Sequence, residues 1–199
     1  MSHCSTPAIV PRSVLRGEIL PIFIRGLTAA AKGSAEAQQR IADFQDMSKT
    51  LSGTPAPMNA LRVMGLEIRE LEIGAVSSAS KGSFDEAIEL LRKATTLEES
   101  LPQPGGPPVL IKPSHELLGE ILLRAGRPKE AAQQFAISLL RQPNRARSLL
   151  GAARSAAKMG DTERAGIAYA NFLRQWQQAD LALPELREAQ NYLKEARLR

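Results

Sequence analysis

The sequence repeats with a period of 34 residues, and this periodicity constrains the fold more than any other feature. The stretches 112–145 and 146–179 match at small, turn and aromatic positions. The matching pairs are Gly119 and Ala153, Gly126 and Gly160, Ala131 and Ala165, and Phe135 and Tyr169. A fixed period of about 20 to 50 residues is typical of repeat proteins, in which each unit packs against its neighbours.

Each unit has the pattern of two helices joined by a tight turn. Between Glu116 and Ala125, apolar residues recur every three or four positions, which places them on one face of a helix. Gly126 suits the left-handed conformation that ends many helices, and Pro128 suits the first turn of the next helix. The pattern therefore predicts an all-α fold.

The repeated unit resembles the tetratricopeptide repeat (TPR). That family has small residues where its two helices pair, a glycine at the turn, an alanine and an aromatic residue in the second helix, and a proline near the end. Unit 112–145 has a residue of the expected kind at each place: Gly119, Gly126, Ala131, Phe135, Ser138 and Pro143. The run from Lys112 to Glu120 also resembles bacterial TPR proteins whose activity is uncharacterised.

The resemblance implies a right-handed α-solenoid of about four helix pairs. It forms a single domain, 14–199, after a flexible N-terminal segment, 1–13. The predicted units are 20–52, 68–101, 112–145 and 146–179, followed by a capping helix over 183–198. Stretches rich in Pro and Gly at 52–57 and 102–108 are predicted as loops between units, because they cannot continue a helix.

Side chains at the helix ends and in the capping helix give further predictions. Asp161 and Ser83 are expected to cap the helices that follow them. Pro184 suits the first turn of the capping helix, Glu188 is expected in solvent, and Trp176 is expected to pack under this helix. The residues predicted to form the buried face of the capping helix are Leu186, Ala189, Leu193 and Ala196.

The sequence contains no recognisable catalytic, metal-binding or cofactor-binding motif. It has one cysteine and two histidines, and the pair His115 and Glu116 lacks the second histidine of an HExxH zinc motif, because Gly119 stands there. His115 is therefore interpreted as a packed structural residue, and Glu116 with Glu120 as a solvated or groove-lining pair. No catalytic residue, metal ligand or cofactor is predicted, and the chain is interpreted as a non-enzyme.

The net charge of +5 is unevenly distributed along the chain. The charge is +2 over 1–57, −3 over 58–111, and +3 over each of 112–145 and 146–199. A nucleic-acid surface would be a continuous basic stripe, with aromatic residues for single strands, whereas aromatics make up only 4% of this chain. The pattern favours protein contact or self-association over nucleic acid. With no signal peptide or membrane-spanning run in the sequence, a cytoplasmic location without membrane contact is expected.

The resemblance to TPR proteins also implies a partner site, because the first helix of each TPR unit lines a concave groove. The residues that it assigns to the groove are Arg69, Glu72, Glu116, Glu120, Arg147, Leu150 and Arg154, with Val76, Ala79, Pro113, Leu123 and Ala157 beside them. TPR proteins that hold the acidic tails of chaperones use Lys and Asn in this groove. The matching positions here carry Glu72, Val76, Glu116 and Glu120, so binding of such tails is not expected.

These observations predict a non-catalytic scaffold that binds a peptide or helix of an unknown partner protein in the groove. An alternative of another class is an enzyme or small-ligand protein with its site in the first 60 residues, the part least like a TPR. That part includes the apolar run Pro21 to Ile24, which could instead pack on the second helix pair or form a homodimer patch.

Overall fold

A computed structural model of the chain describes residues 12–53, 56, 58–102, 112–176 and 183–196, with side chains from residue 19 onwards. The described residues form nine α-helices and no β-strand, which confirms the predicted all-α class. The helices are α1 (Arg12–Ala31), α2 (Glu36–Ser52), α3 (Asn59–Ser80), α4 (Phe84–Ser100), α5 (Ser114–Arg124), α6 (Pro128–Arg141), α7 (Ala146–Lys158), α8 (Thr162–Gln175) and α9 (Pro184–Ala196).

The four turns within the helix pairs share one backbone geometry. Their glycines have φ between 67° and 84° and are Gly33, Gly82, Gly126 and Gly160. In each turn, the amide after the glycine donates to the carbonyl five residues earlier, at 2.9–3.0 Å. This bond closes a Schellman motif, which needs a left-handed residue and therefore favours glycine. The turn predicted at Gly126 thus recurs in all four pairs.

The predicted helix ends are confirmed except for one cap. Asp161 Oδ1 accepts a hydrogen bond from the Arg164 amide at 3.0 Å, and Pro128 and Pro184 begin α6 and α9. Ser83 precedes α4 as expected, but its side chain makes no capping hydrogen bond, so its predicted role is wrong.

The predicted unit bounds and the helix ends do not coincide near the N-terminus. Helix α3 begins at Asn59, nine residues before the predicted start of the second unit at 68. Most of the residues between the predicted units 20–52 and 68–101 therefore belong to this helix. The predicted N-terminal segment, 1–13, lies outside the described residues except for its last two positions, which begin α1. Most of the predicted loop at 102–108 also lies outside them.

Packing follows the order of the chain. Each described helix packs on the next described helix along the chain. The first helices of successive pairs also touch: α1 contacts α3, α3 contacts α5, and α5 contacts α7. These four first helices therefore form a row of neighbours. Among the described residues, no helix is long and apolar enough to cross a membrane.

The apolar residues form two clusters, one from α1 to α6 and one from α7 to α9. In the second cluster, Leu186 and Ala189 are buried and Leu193 is half-buried, as predicted, whereas Ala196 is exposed. The expected packing of Trp176 under α9 stays a prediction. Its ring stacks on Phe172 at 5.9 Å between centroids and remains 36% exposed.

The apolar run near the N-terminus lies within α1, which packs on α2 and α3. Phe23 is buried and Ile22 is half-buried against the core, whereas Ile24 is half exposed. The run therefore contributes mainly to packing of the first pair on the second. A homodimer patch and a small-molecule site in this region remain predictions.

Candidate functional site

An open cavity of about 720 Å³ lies along the first helices of the third and fourth pairs. We call it the α5–α7 groove. Its lining residues are Glu120, Leu123, Arg124, Phe135, Arg147, Leu150, Gly151, Arg154, Ala157, Lys158, Tyr169 and Glu188. Six of the residues that the family resemblance assigns to a partner site lie in this groove: Glu120, Leu123, Arg147, Leu150, Arg154 and Ala157. The groove is therefore built mainly by α5 and α7, and α9 contributes Glu188 to its wall.

A stripe of cations runs along the α7 side of the groove. Arg147, Arg154 and Lys158 are spaced so that they share one helix face with Gly151. Arg147 and Lys158 are exposed, and neither makes an ion pair or a side-chain hydrogen bond with the described part of the chain. The two ends of the stripe therefore carry uncompensated positive charge.

The middle cation of the stripe is neutralised by the capping helix. Arg154 forms a two-pronged ion pair with Glu188, with Nη2 to Oε2 at 2.6 Å and Nε to Oε1 at 2.9 Å. Tyr169 donates its hydroxyl to Oε1 of Glu188 at 2.8 Å. The hydrogen bonds from Arg154 lower the pKa of Glu188, so this carboxylate is ionised at neutral pH. Glu188 is still 35% exposed, so its expected place at the solvent-facing side of α9 holds in part, although it is paired with Arg154.

The α5 side of the groove carries a second neutralised pair. Glu120 accepts from Lys112 Nζ at 2.6 Å. Arg124 makes no ion pair among the described residues; it donates to the Ala79 carbonyl at 3.2 Å and lies 5.6 Å from the ring centre of Phe84. The two carboxylates of the groove, Glu120 and Glu188, already bind cations of this chain. The lining cations that have no ion pair therefore give the groove a net positive charge.

The floor of the groove is apolar and tightly packed. Phe135, from α6, is fully buried between α5 and α7. A Cβ atom at Gly119 would lie 2.8–2.9 Å from the Phe135 ring, and one at Gly151 would overlap the same ring. The two glycines therefore admit the aromatic ring, which confirms that Phe135 fills the space between the third and fourth pairs. Leu150 and Tyr169, both almost fully buried, extend the floor.

Two of the predicted groove residues lie inside the protein. Glu116 is fully buried, so the prediction of a solvated carboxylate is wrong. Arg145 Nε, Ser148 Oγ and Lys112 Nζ donate to it at 2.6, 2.7 and 3.2 Å. Burial alone would raise the pKa of Glu116, but these bonds and charges outweigh it and lower the pKa. The buried cluster ties α5 to the start of α7.

Glu72, on α3, is also fully buried and does not face the α5–α7 groove. Its Oε1 accepts from Ser114 Oγ at 2.9 Å, and its Oε2 has no hydrogen-bond partner. Burial raises the pKa of Glu72 to about 8, so it is protonated at neutral pH. The same turn of α5 binds a second carboxylate, because the Ser114 amide donates to Glu98.

Arg69 is half-buried beside this cluster, away from the α5–α7 groove. It donates to the Gly65 carbonyl, and its guanidinium lies 5.7 Å from the ring centre of Phe23. Desolvation lowers the pKa of Arg69. The structure therefore separates Arg69 and Glu72 from the five predicted residues on α5 and α7.

The interpretation of His115 as a structural residue is confirmed, because its ring is buried with Nδ1 2.8 Å from Gln134 Oε1. Within the ranges that the structure describes, no three His, Cys, Asp or Glu side chains are grouped closely enough to hold a metal ion.

Six of the twelve lining residues were not among the predicted site residues: Arg124, Phe135, Gly151, Lys158, Tyr169 and Glu188. Lys158 could have been found, because it continues the three-to-four-residue spacing of Arg147 and Arg154. Glu188 could not, because its role depends on where α9 docks.

No model of a known protein family matches the sequence, and no curated protein matches it.

Proposed function

We propose that this chain is a non-catalytic scaffold of TPR-like helix pairs that binds a peptide segment of a partner protein in the α5–α7 groove. One observation supports the proposal: six of the twelve residues that the family resemblance assigns to a partner site line the same open cavity. The contacts between successive first helices support the solenoid arrangement, because TPR-like stacking brings the first helices side by side.

The groove has the composition of a peptide-binding surface. Leu123 and Ala157, both half-buried, offer apolar area that a partner side chain can cover, and the charged rim gives orientation and specificity. Its volume of about 720 Å³ falls within the usual range of roughly 300–1,000 Å³ for ligand sites.

The proposal is tested by blocking the groove without changing its charge. Peptides selected from a random displayed library on the wild-type protein are measured for binding to the Ala157→Trp variant, in which a large side chain enters the groove wall. The matched control is Ala136→Trp, at an exposed position of α6 outside the groove. We expect affinity to fall at least tenfold in the first variant and to stay within twofold in the second. Equal binding to both variants would place the peptide site elsewhere.

A further inference from the structure

The outer side of α1 carries an uncharged face at one end of the row of first helices. Helix α1 packs on α2 and α3, whereas Leu20 and Ile24, on its other side, are 40% and 50% exposed. At about 3.6 residues per turn, the side chains on this outer side include no charged one between positions 20 and 31. We call it the α1 face, and its members are Leu20, Pro21, Ile24, Leu27, Thr28 and Ala31. A helix that is apolar on its inner and outer sides is usually buried on both.

The positions of α5 and α7 that correspond to the α1 face are buried. The turn glycines align the helix pairs, and Ile24 stands nine positions before Gly33. Nine positions before the turn glycines of the third and fourth pairs stand Leu117 and Gly151, and both are buried. Twelve positions before them stand Ser114 and Ser148, which are fully buried, whereas the corresponding Pro21 of α1 is exposed.

In α5 and α7, the second helix of the preceding pair covers these positions. The ring of Phe135, on α6, lies against Gly151, and Ser138 Oγ of the same helix lies 2.9 Å from Ser148 Oγ. Glu98, on α4, accepts from the Ser114 amide in the same way. Within the part of the chain that the structure describes, no helix covers α1 on this side. The α1 face is therefore a joint surface between helix pairs that lacks its covering helix.

The other end of the molecule does not offer a covering helix. Helix α8 would cover a further pair, but α9 packs on it and buries Leu186 and Ala189. The exposed residues of α9 are mostly polar and include Arg187, Gln190, Asn191, Lys194 and Glu195. Stacking of copies head to tail would require α9 to leave. The surface of this chain that suits the α1 face is the same face of a second copy, in an isologous contact.

The positions of the α1 face suit a two-fold axis. In an antiparallel pair of α1 helices centred on Ile24, Leu20 lies opposite the second copy's Thr28, and Pro21 lies opposite its Leu27. Each of these uncharged residues therefore meets another member of the face. Arg25 lies at the edge of the face beside the centre, and it makes no ion pair with the described part of the chain.

We propose that two copies of this chain associate through their α1 faces, antiparallel and centred on Ile24, so that each copy covers the open joint surface of the other. No residue of α1 lines the α5–α7 groove, so this contact is independent of the function proposed above. One helix face offers less area than the roughly 800 Å² per partner of a standard interface, and we therefore expect a dissociation constant in the micromolar range.

Analytical ultracentrifugation of the full chain from micromolar to millimolar concentration tests the contact. We expect the mass of the wild type to rise from monomer to dimer, and Ile24→Glu, which sets two carboxylates against each other at the centre, to remain monomeric. The matched control is Ile167→Glu on α8, where the isoleucine is exposed, and it should dimerise as the wild type does. Circular dichroism checks that both variants keep their helices. A wild type that stays monomeric throughout, or equal dimerisation of the two variants, would overturn the proposal.

A charge reversal tests the position of the two-fold axis. Because Arg25 stands next to the centre, the antiparallel pair brings its two copies close together, and their like charges oppose association. In a mixture of wild type and Arg25→Glu, opposite charges meet there instead. We expect the mixed dimer to be at least threefold tighter than the wild-type dimer, and the gain to shrink as salt is added. A mixed dimer no tighter than the wild-type one would overturn the arrangement centred on Ile24.

Discussion

Phe135 connects three helices through its ring, because glycines of α5 and α7 face it from two sides. A glycine in the middle of a helix normally costs about 1 kcal/mol relative to alanine. Glycine is nevertheless favoured over alanine at Gly119 and Gly151. Any Cβ atom there would press into the ring of Phe135, which is buried and cannot move into solvent. Their role is to provide space, and the backbone conformation at these positions does not require glycine.

We predict that Gly151→Ala destabilises the protein by about 1–3 kcal/mol, the usual cost of overpacking a core. The matched control is Gly166→Ala on α8, where a Cβ atom would meet only the Leu193 side chain at 3.9 Å. That variant should be stabilised by as much as about 1 kcal/mol, since alanine favours the helix. Urea unfolding of both variants measures the difference. A Gly151→Ala protein as stable as the wild type would show that Phe135 can move aside.

Glu72 makes stability depend on pH. Its folded-state pKa of about 8 lies above its ordinary value of 4.5, so between these values the folded protein holds a proton that the unfolded chain has lost. The resulting contribution is fully present below pH 4.5 and is lost as the pH rises through 8. The slope is at most about 1.4 kcal/mol per pH unit.

We predict that Glu72→Gln removes this slope, because glutamine resembles the protonated carboxyl group at every pH. The variant and the wild type should be similarly stable near pH 5, and the variant should be the more stable at pH 8. Glu67→Gln, at an exposed position of the same helix, should follow the wild-type profile. Chemical unfolding at several pH values tests this. Parallel profiles for Glu72→Gln and the wild type would mean that Glu72 is ionised in the folded state.

At the scale of helices, α5 is held to the start of α7 by charge as well as by packing. Glu116 receives hydrogen bonds from Arg145, in the link between α6 and α7, and from Ser148, in the first turn of α7. Ser148 Oγ also lies 2.9 Å from Ser138 Oγ of α6. The buried carboxylate therefore joins three helices at the end of the groove that contains Arg147.

We predict that Glu116→Ala destabilises the protein by about 3–5 kcal/mol, because it leaves half-buried Arg145 and Lys112 without this carboxylate. Glu120→Ala removes the other carboxylate bound by Lys112 from a site that is 33% exposed, and it should cost less than about 1 kcal/mol. Thermal or urea unfolding of both variants gives the comparison. Similar losses in the two would show that burial adds nothing to the Glu116 cluster.

Across the whole molecule, local rules predicted the elements better than the contacts between them. The glycine turns, the proline starts and the Asp161 cap depend on a few consecutive residues, and the sequence contains all of that information. Glu116 was expected in solvent or along a groove, and Glu188 in solvent, because carboxylates on helices are usually exposed. Their actual partners, Arg145 and Arg154, are 29 and 34 positions away, and the pairing arises only when the helices stack.

Near the N-terminus, the predicted unit bounds and the helix ends do not coincide. Helix α3 begins nine residues before the predicted second unit, because the repeat period marks which positions correspond and does not fix how far a helix extends beyond its unit. The positions along α5 and α7 were predicted well because both units keep the 34-residue period without insertions. The α5–α7 groove lies in this regular part of the chain.

The distribution of cations over the whole molecule leads to a last prediction, that acidic C-terminal tails of chaperones do not bind at micromolar concentrations. The positions that would hold such a tail carry Glu72 and Glu116, both buried, together with Val76 and Glu120. Arg147 and Lys158, the two cations of α7 without an ion pair among the described residues, are about 16 Å apart along the helix axis, too far for carboxylates crowded into the last few residues of a tail to reach both. Calorimetry with a tail peptide and its amidated form tests this. We expect neither peptide to bind at micromolar concentrations, whereas micromolar binding that requires the free terminal carboxylate would identify a clamp on the row of first helices.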